Sequence, residues 1–351
     1  MTKTKTAKKQ NFFIFSFKQN FQNILFSILI LGMMFLIISN PSVFSKSTIS
    51  GIKLFFYSVL PGLFPFMFLT KLLTEIGLVF KVSKRFSKLS NKLFGTPGVS
   101  LYCFAMSILS GYPIGAKIIS DLYEKNLISD EDAKRMSIFC TTSGPIFIIG
   151  AVGVGMLSSF KAGIIIYLSH ILSSLICGIC YNLVFKQKDK TQQSFQITEN
   201  QISQKNNIFS TCLSDTINSL LMVGGYITIF YLLTEVLDIL QIIQAISNLF
   251  SPTLSKFKVN PKCIGGIFYG IVEVTHGVKE LSVLQNSSFP LICGLISFSG
   301  ISIIMQSLAF FKTAKIKARN FIFSKCVQAI ISIFLCKLFF IIIWIRQVRI
   351  F

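Results

Sequence analysis

The chain has 351 residues, of which 52% are apolar and 13% charged, with a formal net charge of +21. Soluble domains carry about 25% charged residues to solvate their surface, so a water-soluble globular fold is excluded for most of this chain. The basic excess does not point to nucleic acid: Lys and Arg sit in short clusters at the chain start, 81–92 and 312–319, as the positive-inside rule of membrane proteins produces, with no aromatic-interleaved stripe or groove-binding motif.

A spanning helix needs about 20 largely apolar residues. Blocks of this kind fall at 22–40, 51–80, 99–120, 138–157, 160–185, 215–240, 263–282, 290–311 and 321–345. Pro, Gly or charge interrupts several of them, so nine blocks need not be nine crossings. Residues 1–21 read as a basic cytoplasmic arm, and 22–50 as a leading transmembrane helix and loop. The leading block ends in SNPSVFS without a small-residue cleavage site, so it reads as an uncleaved helix rather than a signal peptide.

The polar stretch 186–214, rich in Gln, Lys, Ser and Thr over its first part, reads as a linker between 51–185 and 215–351. The two flanking parts share signatures at an offset of about 160 residues. Leu73-Thr74-Glu75 recurs as Leu233-Thr234-Glu235, Gly115-x-Lys117-x-x-Ser120 as Gly277-x-Lys279-x-x-Ser282, and Ser143-Gly144 as Ser299-Gly300. Fixed order at near-constant spacing marks an internal repeat. The expected fold is an all-α polytopic membrane protein, a leading helix plus two four-segment repeats with broken or re-entrant helices. If 99–125 re-enters, the loops at 81–98, 121–137, 186–214 and 312–320 share the cytoplasmic side with the N-terminus and hold most of the loop cations; this favours inverted over parallel copies.

Two motifs break the helical pattern at bilayer depth. In Ser110-Gly111-Tyr112-Pro113-Ile114-Gly115-Ala116-Lys117, Pro113 removes a backbone donor while Gly111 and Gly115 permit unusual dihedrals. Exposed backbone at that depth is tolerated only inside protein or along a wet cavity. A half-helix starting near Ile114 would aim its amides at such a cavity and favour an anionic or polar group. The counterpart is Glu273-Val274-Thr275-His276-Gly277-Val278-Lys279, where a mid-membrane carboxylate calls for a partner, with Lys117 or Lys279 the expected one. Ser143-Gly144-Pro145 and Ser299-Gly300 form a second matched pair of breaks, and Gln306 follows on an apolar helix. The substrate-binding set expected from these motifs is Gly111, Tyr112, Pro113, Gly115, Lys117, Ser143, Gly144, Pro145, Glu273, Thr275, Gly277, Lys279, Ser299, Gly300 and Gln306.

Other signals point to packing. The glycines of 150–155 lack a dinucleotide-binding context and suit close helix contact. Cys177 and Cys180 lie within an apolar block with no second pair for zinc. The two histidines, His170 and His276, are too few for a metal centre, and there is no nucleotide-binding loop or catalytic triad. The expectation is a non-enzyme with no cofactor and no metal. Ser129, followed by acids and then bases, reads as the cap of a short surface helix.

The runs LPGLFPF (60–66), SGYPIGAK (110–117), DLYEKNLIS (121–129), TTSGPIFIIGAVGVGM (141–156), EVTHG (273–277) and SFSGISIIMQ (297–306) resemble the YlbJ family of sporulation integral membrane proteins from endospore-forming Firmicutes, over about residues 50–340. Each repeat is also similar to the nucleoside-recognition Gate domain, shared more distantly with concentrative nucleoside transporters and the membrane part of ferrous-iron transporter B. The resemblance implies a role in spore formation in the cell, forespore or mother-cell membrane. Taken with the two broken motifs, the expectation is a transporter or channel-like permease for a small polar or anionic solute, with a non-transporting scaffold for spore envelope (cortex) assembly as the alternative. Partners on this reading are the solute, the bilayer and, where it assembles, further copies or other sporulation membrane proteins.

Overall fold

A computed structural model describes residues 23–185, 207–256, 262–284 and 288–348, and its regular elements are all helical. The leading helix α1 (Asn23–Ser39) is bent by 105° from the helix that follows. That helix, α2 (Pro41–Leu54), starts without a loop, so the expected loop at 41–50 is instead helical. Pro41 is preset for a first helical turn, and the Thr48 and Ser50 hydroxyls bond the carbonyls four residues back, so this polar stretch satisfies itself within the helix.

A π-helical turn (Phe55–Val59) leads into α3 (Leu60–Glu75), followed by α4 (Leu78–Phe94), α5 (Val99–Ser110), α6 (Ile114–Glu124) and α7 (Asp130–Phe139). A non-helical break precedes the π-helical segment Ile146–Met156 and the long α8 (Phe160–Val184). The second half runs through α9 (Ile208–Ile239), α10 (Ile242–Lys256), α11 (Lys262–Val272), α12 (Val274–Ser282), α13 (Phe289–Phe298), α14 (Gly300–Phe310) and α15 (Ala318–Val348). Residues 208–214, expected in the linker, belong to α9; there Ser210 and Thr216 turn their hydroxyls onto backbone carbonyls. The remainder of the linker (186–206) and the basic arm (1–21) lie outside the described residues.

Two of the apolar blocks, 99–120 and 263–282, fold as helical hairpins. Cys103 Sγ contacts the Gly115 carbonyl, so the chain reverses between α5 and α6. Gly277 lies against Gly270 and Gly266 against Leu281, so α11 and α12 reverse in the same way. Among the described residues four helices are long and apolar enough to cross a bilayer, with up to six crossings if each bent pair is one span. The four are α8, α9, α13 with α14, and α15.

Helix α9 serves as a ruler. Near its start Asp215 approaches Lys71 of α3 at 3.4 Å, and Lys71 bonds Asp121 of α6 at 2.8 Å. Near its far end Asp238 accepts a hydrogen bond from Tyr269 of α11. These anchors are 23 residues apart by number, about 35 Å at 1.5 Å per residue, against about 30 Å of hydrocarbon. The base of the first hairpin is thus tied to one end of α9 and the second hairpin to the other. The same face as Asp121 holds the turn after α14, where Thr313 bonds Ser120 at 3.0 Å and Lys315 meets Asp130 at 3.7 Å. It also holds the end of α8, where Asn182 caps the Leu93 carbonyl of α4 at 3.1 Å. The cationic segments 81–92 and 312–319 therefore lie on the same face of the molecule.

The halves do not bury separate cores. One cluster joins the first hairpin, α4 and α7 to Ile304, Phe310 and Phe321 of the second half. The other joins the second hairpin and α13 to Ile148, Val152 and Ile166 of the first. Each break lets the segment after it cross over to the opposite half. Close packing follows at Gly153, where a Cβ would sit 2.6 Å from the Gly163 Cα, the helix contact expected of that glycine run. Helix α7 begins with the expected cap, Ser129 and Asp132 forming a capping box, but runs into the core, with Ala133, Met136 and Phe139 fully buried.

The ion cluster at the base of the first hairpin yields one expected result. Asp121 accepts from both Lys71 (2.8 Å) and Lys117 (3.0 Å) while itself nearly buried. Asp121→Asn should therefore cost about 2 kcal/mol, the range of a charged hydrogen bond, read as a lower unfolding midpoint of purified protein. Lys117→Gln, which leaves the Lys71–Asp121 pair intact, should cost well under half as much.

Candidate functional site

The two hairpin tips meet beside the midpoint of α9. Helix α5 ends at Gly111, whose φ of +89° is accessible to glycine at little cost. A Cβ there would lie 2.6 Å from the Gly144 amide nitrogen, so the first tip seats directly on the first break. The second tip repeats this arrangement: Gly300 approaches the Gly270 carbonyl and the Val274 nitrogen at the second break. Glu273, in extended backbone, caps α12: its carboxylate accepts from the amides of Thr275 (3.1 Å) and His276 (2.8 Å).

A cavity of about 230 Å³ opens between the tips. Its walls include Gly111, Tyr112, Ser143 and Gly144 from the first half and Glu273, Thr275 and Gln306 from the second. Val223 and Ile227 of α9 line it, as do Leu63 of α3 and Phe147 of the π-helical segment, so most of its surface is apolar. The Ser110 hydroxyl is buried at its wall with no partner among the described residues. Gln306 turns its amide to Ser302 Oγ at 3.3 Å.

The remaining expected residues stand behind or away from this lining. Pro113 and Pro145 occupy the caps of α6 and the π-helical segment, and Gly115 and Gly277 let the hairpins close. Ser299, in left-handed backbone at φ +81°, donates to Tyr112 Oη at 2.7 Å. Lys117 is turned to Asp121 and the Phe310 ring, and Lys279 is exposed. Neither lysine pairs with Glu273, correcting the expected ion pair. Its stabilisation is instead the start of α12, where free amides and the helix dipole favour a carboxylate.

Sequence reasoning passed over the residue that ties the site together. Lys325 of α15 is fully buried and donates to Thr141 O (2.6 Å), Gln328 Oε1 (2.9 Å) and Tyr112 Oη (3.1 Å), with its ammonium 5.1 Å from the Tyr112 ring centre. A Lys inside an apolar block, one of two in 321–345 with Lys337, was the available signal, of the kind that marked Glu273. His170 of α8 makes a second tie. Its Nε2 accepts the Ser143 amide at 2.8 Å, so Nδ1 carries the proton and donates to Ser297 at 2.9 Å. Each break is thereby wired to the other half: Ser143 through His170 to α13, and Ser299 through Tyr112 to Lys325 and the end of α7.

Helical hairpins, broken helices and an apolar-walled cavity between interlocked halves define a polytopic integral membrane protein. The chain is 26% identical over 329 residues to the sporulation integral membrane protein YlbJ of Bacillus subtilis (strain 168), covering 88% of this chain and 79% of that one. The similarity extends over most of both chains and supports the family that the motifs indicated. No protein-family model matches the chain, and no solved structure does.

Proposed function

We propose that the protein is a membrane transporter or channel-like permease of sporulation, which binds a small polar or anionic solute in the cavity between its hairpin tips. The observation that carries this reading is where helices begin. Four helical segments start at or beside the cavity, at Ile114, Ile146, Val274 and Gly300. A helix start leaves first-turn amides without an intrahelical partner and carries about half a unit of positive charge. Glu273 occupies one of them, while the other three have no side-chain cap. An anionic or strongly accepting group would find donors there, and the apolar walls would take the solute's body. The two halves act as inverted copies that rock about the cavity, as in repeat-built transporters. The cationic face carrying 81–92 and 312–319 is cytoplasmic.

Orientation has a direct test. In a Cys-free background, Lys88→Cys and Lys315→Cys should resist a membrane-impermeant thiol reagent in intact cells. Ser158→Cys, at the opposite end of α8, should label. Ready labelling at 88 and 315 would reject this topology. The binding reading is tested by thermal unfolding of purified protein against small dicarboxylates, nucleosides and metal ions. Stabilisation by one solute class, lost in Gln306→Ala, is the expected result. If no solute shifts the midpoint, and loop changes but not cavity changes abolish sporulation, the scaffold reading takes its place.

A further inference from the structure

We propose that α4 is an interfacial helix whose basic face binds the anionic phospholipid headgroups of the leaflet at the base of the first hairpin. The axis of its residues 81–94 turns 86° from α5. A helix attached this way to a hairpin that enters the bilayer lies along the membrane plane.

Its sequence divides into three faces. Val79, Ser83, Ser90 and Phe94 are each no more than 3% exposed and hold α4 to the bundle. Ser90 Oγ bonds Ser100 Oγ at 2.6 Å and Thr96 Oγ1 at 2.9 Å, and Phe94 stacks on Phe139 at 4.2 Å between ring centres. A neighbouring face is apolar yet open, with Leu78 37%, Phe86 40% and Leu89 48% exposed. The third face carries Lys81, Lys84, Arg85, Lys88 and Lys92, all exposed. Their spacing of three and four places them on one side of the helix. None of the five forms an ion pair among the described residues, and α4 contains no acid.

An open apolar stripe beside a cationic one is the pattern of a helix seated at the lipid–water boundary. The Phe86 ring and the two leucines meet acyl chains, while the cations stay level with the phosphates. Clustered cations attract anionic lipid additively within a Debye length, about 8 Å at physiological salt. The matching helix in the second half, α10, has one cation, Lys256, in the sequence of its helical span. The feature therefore belongs to one membrane face rather than to the repeat.

The test uses the full chain in neutral detergent at low salt, with phosphatidylglycerol or phosphatidylcholine added before thermal unfolding. Phosphatidylglycerol should raise the midpoint beyond the phosphatidylcholine value. Changing Lys81, Lys84, Arg85, Lys88 and Lys92 together to Gln should remove most of that excess and leave the phosphatidylcholine midpoint unchanged. Neutralising Lys312, Lys315, Lys317 and Arg319 on the same face should leave most of it in place. Mass spectrometry of co-purified phosphatidylglycerol gives a second measure if the α4 variant has a shifted midpoint, and a several-fold loss is expected. The proposal fails if the α4 variant keeps its full excess and bound lipid. It also fails if the wild type shows no excess, as when the basic face meets an acidic protein instead.

Discussion

Gly277→Leu is expected to leave almost no folded protein, the largest stability effect of any single change considered. Even a bare Cβ at Gly277 would lie 2.2 Å from both the Cα and the nitrogen of Gly270, and 2.5 Å from the Gly266 carbonyl oxygen. These are backbone atoms of α11, so no rotamer change can make room. The hairpin would have to splay, which would unseat Glu273 from its cap and Val274 from Gly300. Overpacking a core by a methylene or two costs about 1–3 kcal/mol. Here the whole leucine side chain meets main chain, so the cost should exceed that range. Gly225→Ala provides the contrast: nothing lies within 4 Å of its Cβ position in α9, and helix propensity predicts a gain of up to about 1 kcal/mol. Unfolding midpoints and yields of the two variants, prepared in parallel, decide the matter. A Gly277→Leu protein with the wild-type midpoint would mean that the hairpin does not close in this way.

Much of this architecture was legible because its signals are local. Pro, Gly and a lone carboxylate inside apolar blocks located both hairpin tips and the break at Ser143-Gly144, and the recurrence of Gly115-x-Lys117 as Gly277-x-Lys279 paired the hairpins. The partners of these residues were less legible, since partnership depends on how helices far apart in sequence are placed. Lys117 and Lys279 shared a motif position and were expected at Glu273. In the fold each lies one turn past a tip, and helical rotation carries it away from the cavity, one to Asp121 and the other to the exposed surface. Lys325 comes from a helix 213 residues beyond Tyr112. Only the crossing of each C-terminal arm into the opposite half brings it to the first tip.

That crossing also bears on how the cavity could open. Tyr112 is held at once by Ser299 of the second break and by Lys325 of α15. Ser143 is held by His170, which is bonded in turn to Ser297. A hairpin leaving its break must therefore part hydrogen bonds that span both halves, which would make the motion of one tip depend on the other. On the proposed transport reading, this coupling of the tips would serve alternating access.

Glu273→Gln is expected to abolish the proposed transport role, read as spore yield, while leaving the protein inserted and folded. The carboxylate is buried at the cavity wall and bonded to two amides at the start of α12. Glutamine is nearly isosteric and keeps one oxygen that can accept from those amides, so the cap is weakened rather than lost. What it removes is the titratable charge at the one helix start where the protein supplies its own anion. If transport is coupled to protons, this is the group placed to carry one beside the solute. Glu273→Ala removes the cap altogether and should cost about 1–2 kcal/mol. That is less than the 3–5 kcal/mol expected had a buried lysine been stranded, since no lysine pairs with Glu273 among the described residues. Unfolding midpoints separate these two costs, and spore counts from strains with matched protein levels report function. Normal spore yield from a stably expressed Gln variant would defeat the role assigned to Glu273, and the scaffold reading would then stand ahead of transport.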